Sequence, residues 1–303
     1  MKFGVHVNRS GGLGNALDAA RTLRCDTIQM FSRSPRSLRP GLVNEEEATL
    51  FREGLAAAGI GPLVIHAPYL LNLASPRKET YEASRDALAH DIVLARAVGA
   101  EMLVFHPGSH LGSGVDAGIA RIAAAVEYAC EKACHASHGG SGGRRDEGVD
   151  RMDAASPRLL LEMVSGSGTE IGKTFEEQRR IMDRAPGAPL GLCLDTCHVF
   201  TAGYEVRTME GISRVLDELD AAVGMQRLAL VHANDSVGDL GSHLDRHANI
   251  GEGRIGEDGF RAILGCSRLS HLPFILETPH TTLADDARNL AALRRIAGEA
   301  VSQ

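Results

Sequence analysis

Eight short apolar runs recur along the chain: Phe3–Val7, Thr27–Phe31, Leu63–Ile65, Met102–Phe105, Leu159–Leu161, Leu190–Leu194, Leu228–Val231 and Phe274–Leu276. They are continuous rather than alternating, the pattern of a strand covered on both faces. The stretches between them have helical spacing. Leu88, Ile92, Ala95 and Val98 share one helical face, as do Leu290, Leu293, Ala297 and Val301. Asn44 ahead of Glu45, Glu46 and Glu47, and Ser75 ahead of the third helix, are predicted N-caps. Strand and helix thus alternate eight times in 303 residues. That predicts an α/β fold, a (β/α)8 TIM barrel with its functional face at the C-terminal ends of the strands. An open doubly wound sheet is the alternative that one miscounted strand would admit. Residues 135–157 (HASHGGSGGRRDEGVDRMDAASP) break the rhythm with Gly, Ser and charge. They are expected to form a flexible surface insertion on a single domain spanning 1–303, away from the functional face.

Composition narrows the classes. Lys and Arg number 32 against 39 Asp and Glu, a formal charge of -7, which excludes a polybasic chain that coats nucleic acid indiscriminately. Hydrophobic residues at 44% and charged residues at 23% exclude wholesale disorder. The six Cys are too loosely spaced for a disulfide framework. No run approaches the ~20 apolar residues of a membrane span, and the start has no signal-peptide pattern. A reduced, cytoplasmic, monomeric protein without a membrane partner is expected.

The informative residues close the apolar runs. His6 lies at the end of the first, and His66, His106, Glu162, Asp195, His232 and Glu277 follow the third to the eighth. In a barrel these ends converge on one face. A lone buried His is usually just a satisfied core residue. Several carboxylates and imidazoles crowded together repel or neutralise one another unless cations join them. The loops add more: Asp195-Thr-Cys-His198, Asp245-Arg-His247, His232-Ala-Asn-Asp235 and Gly251-Glu-Gly253. Five His, two Asp and two Glu are then available as metal ligands. Imidazole with carboxylate suits Zn2+, with Mn2+ or Fe2+ also compatible, whereas Ca2+ wants oxygen alone. Cys193 and Cys197 are read as small buried residues rather than ligands.

FHPGSH (105–110), LDTCHVFTAGYE (194–205), HANDS (232–236), GSHLDRHANIGEGRIG (241–256) and LETP (276–279) together resemble the signatures of the endonuclease IV family. These are zinc-dependent apurinic/apyrimidinic endonucleases with a TIM barrel fold. The similarity covers nearly the whole chain apart from 135–157. It implies three zinc ions per chain. His66 and His106 would hold one, Glu162 would bridge to a second completed by Asp195, His232 and Glu277, and His198, Asp245 and His247 would hold the third. The implied reaction hydrolyses the phosphodiester 5′ to an abasic site in duplex DNA, leaving a 3′-hydroxyl and a 5′-deoxyribose phosphate. Related 3′-phosphatase or 3′-phosphodiesterase activity would accompany it. Glu162 and Glu277 are the implied catalytic residues, the second also orienting the nucleophilic water. His6, His110 and His243 are ranked as support for the ligands.

Such an enzyme must pull its substrate from a stacked duplex. By resemblance, Arg36, Tyr69 and Leu70 would enter the DNA beside the lesion and Arg246 would meet a phosphate. Arg33, Arg36 and Arg39 together would make the loop after the second strand a positive face. The chain departs from the family at two points. Leu38 stands where an aromatic is common, and Glu162-Met163-Val-Ser-Gly where Glu-Asn-Thr-Ala-Gly is typical. Two other readings remain: a xylose-isomerase-like sugar isomerase or epimerase, which leaves His198, Asp245 and His247 without a role, and a zinc-stabilised DNA-damage binder.

Overall fold

Each predicted run is a strand of one closed, all-parallel barrel in the computed structural model, which describes residues 1–41, 43–138 and 156–301. The strands are β1 (Lys2–His6), β2 (Thr27–Phe31), β3 (Leu63–His66), β4 (Met102–Phe105), β5 (Arg158–Glu162), β6 (Leu190–Asp195), β7 (Leu228–His232) and β10 (Pro273–Leu276). They run round the barrel in chain order, and β10 closes it against β1. An antiparallel pair of two-residue strands, β8 (Asp235–Ser236) and β9 (His247–Ala248), stands on the loop after β7 and was not expected.

Two apolar layers follow from the strand period of two. Outward-facing residues pack with the helices into the larger core. Val64, Met102, Val104, Leu160, Cys193, Leu230 and Ile275 form a separate buried cluster that fills the barrel. Two positions on from six of these inward residues stand His66, His106, Glu162, Asp195, His232 and Glu277. The alternation that stacks the interior therefore lifts an imidazole or carboxylate onto the same side at the top of those six strands.

The helices place two expectations and correct two others. Asn44 caps α2 (Glu45–Ala58), its side chain accepting from Glu47 N–H. The faces of Leu88, Ile92 and Ala95 on α3 (Lys78–Ala97), and of Leu290, Leu293 and Ala297 on α9 (Leu283–Val301), are buried. Ser75 is not the cap of α3. Its Oγ accepts from Arg77 N–H in a turn ahead of the helix, which starts only at Lys78. The interruption expected from residue 135 also starts later, because α4 (Val115–His138) continues through residues 135–138. The rest of that segment, 139–155, lies outside the described residues. Among the described residues, no helix is long and apolar enough to cross a membrane.

Candidate metal centre

Glu162, fully buried at the end of β5, is the hub of the site. Its Oε2 lies 3.0 Å from His66 Nε2 and 3.1 Å from His106 Nε2. Its Oε1 lies 3.0 Å from His232 Nδ1 and 3.3 Å from His198 Nδ1. One carboxylate thus separates four imidazoles into two pairs. Around it, five overlapping groups among the described residues have donor atoms within 4.8 Å of one another, including His66, His106 and Glu162; Glu162, Asp195, His232 and Glu277; and His198, Asp245 and His247. All nine residues expected as ligands converge here.

The imidazoles are aimed. His66 Nδ1 lies 2.6 Å from Ala67 O, His198 Nδ1 2.9 Å from Met163 O, and His247 Nδ1 3.0 Å from the Glu277 carbonyl. His232 Nε2 lies 2.8 Å from Gln29 Oε1. A ring nitrogen that donates to a fixed acceptor leaves the other as a lone pair facing the cluster, the arrangement that orients metal-binding histidines. His247 Nε2 is buried with no hydrogen-bond partner, 3.7 Å from both Asp195 Oδ2 and Asp245 Oδ1. A buried orphan nitrogen between two carboxylates, in a set of imidazoles and carboxylates, fits a zinc-type cation.

Electrostatics agree. Burial opposes ionisation of Glu162, yet the charges of His106 and His232 hold its carboxyl well below the ordinary range. Burial likewise opposes charge on His198 and His232. Asp195, Asp245 and Glu162 overcome this for the first, and the carboxylates of Glu277 and Glu162 for the second, so both lie well above the usual imidazole value. Asp245, against its burial, is drawn to about 2 by His198 and His247. Three carboxylates (Glu162, Asp195 and Glu277) are buried or nearly so, and the cluster demands positive charge to match. Cys197 approaches Asp195 and His247, but burial pushes its thiol up to about 12, and Sγ faces Arg246 O at 3.8 Å.

Gln29 escaped the sequence reading, and Asn234 and Asp235, named there only within the His232-Ala-Asn-Asp235 motif, support the cluster from behind. Gln29, besides accepting from His232, donates through Nε2 to Glu277 Oε1 at 2.7 Å. Asn234 Nδ2 donates to Asp195 Oδ2 at 2.6 Å, and its Oδ1 accepts the Glu277 N–H at 2.8 Å. Asp235 accepts from the backbone N–H groups of Ser236, Gly251, Gly253, Ile255 and Gly256. That carboxylate folds the loop carrying Asp245 and His247 down onto the barrel. A Cβ on Gly253 would sit 2.4 Å from Asp235 Oδ1, so only glycine lets the loop close this far. A polar residue inside the apolar run TIQMF was the available signal for Gln29.

The matched family model is that of the xylose isomerase-like TIM barrel, over residues 17–297. A protein named "Probable endonuclease 4" from Methanosphaerula palustris is 40% identical over 304 residues, 98% of each chain. A protein of the same name from Methanoculleus marisnigri is 43% identical over 307 residues, 97% of this chain and 98% of its own. The crystal structure of endonuclease IV from Thermus thermophilus superposes with a TM-score of 0.81 at 36% identity, covering 99% of this chain and all of that one. The chain belongs to the endonuclease IV family.

Seen as an endonuclease IV relative, the molecule corrects one expectation about its rim. Arg36, Arg39 and Arg246 are exposed, as are Tyr69 (58%) and Leu70 (51%). The Tyr69 ring leans over the cluster, 5.8 Å from the His66 ring and 6.0 Å from that of His106. Arg33 is not part of a positive face. It is buried, paired with Asp91 of α3, and donates to the carbonyls of Leu38 and Ala87. Its charge is spent inside, tying the loop to α3. His6 lies 3.2 Å from Glu277 Oε1 and so touches the ligand set. His110 instead accepts from Gly112 and Gly114 N–H, and His243 Nδ1 lies 2.7 Å from Ser165 O. The Met163 side chain is buried while its carbonyl positions His198, and Leu38 packs on the core.

Proposed function

We propose that this protein is a DNA repair hydrolase that cuts the phosphodiester 5′ to an abasic site in duplex DNA, leaving a 3′-hydroxyl and a 5′-deoxyribose phosphate. The observation that carries the reading is the convergence of nine donor residues in overlapping groups on and beside Glu162, one of them made of His198, Asp245 and His247. A sugar isomerase would leave the group of His198, Asp245 and His247 unused. Zinc in the three groups would neutralise charge on the phosphodiester and acidify a water molecule near neutral pH.

The chain's own residues do the rest. His66, His106 and Glu162 would hold the first ion, Glu162, Asp195, His232 and Glu277 the second, and His198, Asp245 and His247 the third. Glu162 joins the first two sites. Glu277 both binds and accepts from the attacking water, its own position fixed by Gln29 and Asn234. Tyr69 and Leu70, apolar and exposed above the site, replace the stacking lost when the abasic nucleotide leaves the duplex. Arg36 and Arg246 neutralise flanking phosphates. The same site removes 3′-phosphate and 3′-phosphodiester blocks, which present the same phosphoryl group to the same ligands. The enzyme works as a monomer.

Incubation with a duplex carrying one tetrahydrofuran abasic analogue tests this. Incision 5′ to the analogue without added Mg2+ is expected. Tight binding without a cut, or turnover of a ketose instead, overturns it.

A further inference from the structure

The loop after β2 is built as three nested closures. At its base, a Cβ on Gly41 would sit 2.5 Å from Ser32 O, so the returning limb runs directly against the outgoing one. Ser32 N–H in turn bonds to His66 O at 2.9 Å, which seats this base on a strand that carries a ligand. One step in, Arg33 Nη1 donates to Leu38 O at 2.7 Å. At the tip, Ser37 N–H bonds to Ser34 O at 3.0 Å around a turn made by Pro35 and Arg36. Proline presets the backbone of such a turn. The two arginines leave the loop in opposite directions, Arg33 buried and Arg36 exposed.

The middle closure is made by a buried charge. Arg33 Nε and Nη2 donate to Asp91 Oδ1, Nη2 also to Ala87 O at 2.9 Å, and Nη1 to Leu38 O. Asp91 and Ala87 lie one turn apart on α3, so the guanidinium is braced against a helix of 20 residues. Asp91 is fully buried. Burial pushes its carboxyl up to about 6 against the pull of Arg33 and Arg9, so the pair is charged at neutral pH. A buried ion pair is a poor source of stability, because two apolar side chains of similar volume would hold a loop to a helix as well. Apolar side chains cannot donate to Leu38 O and so fix the spacing of the two limbs. The pair therefore sets the shape of the loop as well as its attachment.

We propose that Asp91, acting through Arg33, is a positioning residue for DNA recognition. The pair holds the turn of residues 34–37 closed before the duplex arrives, so that Arg36 projects from the rim already ordered. The inference rests on the nuclease reading and deepens it. Preorganisation removes an ordering cost from binding, and its loss is felt in KM.

The experiment measures kcat and KM of the zinc-loaded enzyme on the tetrahydrofuran duplex, in a double-mutant cycle between the pair and Arg36. Arg33→Met combined with Asp91→Leu removes the pair without leaving a buried charge alone, which preserves the fold. KM rises about tenfold while kcat and zinc content hold, the mark of lost binding without lost chemistry. In an Arg36→Ala background, itself weaker in KM, the same replacement adds less than about twofold, because its effect runs through Arg36. Asp91→Asn, isosteric and uncharged, repeats the cycle with a single change and shows the same rise and the same dependence on Arg36. A wild-type KM in these variants, or a rise as large without Arg36 as with it, overturns the positioning role while leaving the nuclease reading intact. A wild type that incises no abasic duplex overturns both.

Discussion

Glu162 and Asp235 are both fully buried carboxylates near the C-terminal face of the barrel, yet they are surrounded in opposite ways. Asp235 is saturated by backbone N–H groups from five residues. Every donor there is neutral, fixed and used up. Glu162 faces four imidazole nitrogens within 3.3 Å. Of those four rings, three have their other nitrogen, or the nitrogen itself, held by an outside acceptor. A carboxylate closed by the main chain is a structural clamp. One closed by aimed imidazoles is a place for cations. Burial and charge do not distinguish the two; the chemistry of the partners does.

The sharpest way to break the comparison is Glu162→Gln. It keeps the shape but removes the charge shared by two ligand groups, and incision falls by about three orders of magnitude, several kcal/mol of charge stabilisation. Residual activity near the wild-type level would remove Glu162 from the centre. Asp235→Ala should act indirectly. The loop bearing Asp245 and His247 loses its anchor, so incision falls roughly 10- to 100-fold, with zinc dropping toward two ions per chain. Metal analysis decides whether the loss comes through the third group, and an unchanged zinc content would show that the clamp is dispensable.

A smaller contrast separates the two arginines of one loop. Arg33→Met leaves Asp91 buried without its partner and costs about 3–5 kcal/mol of stability, read in denaturant melts. Arg36→Ala leaves the melt unchanged and makes the salt dependence of DNA binding shallower by about 1. Exchange of these two phenotypes would reverse the assignment. The weakest effect concerns the thiols. Burial pushes Cys25 up to about 11 and Cys130, Cys193 and Cys197 to about 12, so they stay protonated and shielded at pH 8. Iodoacetamide should label none of these four in the folded protein; modification of Cys197 would reopen its exclusion as a ligand.

Much of this was legible because barrel strands bury both faces. An apolar run ending in His, Asp or Glu is then a strand top, and the period of two puts those residues on one side. What stayed hidden depended on contacts distant in sequence. Arg33 read as part of a basic loop because Asp91, its partner, lies 58 residues away in α3. Gln29 looked like an isolated polar residue, and Asn234 like one member of a loop motif, until the fold brought them against Glu277. Ser75 has the chemistry of a cap but stands too far before Lys78 to serve as one. Residues 135–138 have the composition of an insertion, yet the helix behind them propagates through His138.

The proposed centre has three cation sites, two of which share the Glu162 carboxylate. Counting zinc in the purified, incision-competent chain by elemental analysis tests it most directly. About three ions per chain are expected, with zinc lost from the bridged pair in Glu162→Gln. A single ion per chain in fully active protein, or activity that needs Mg2+ with no zinc present, would contradict it.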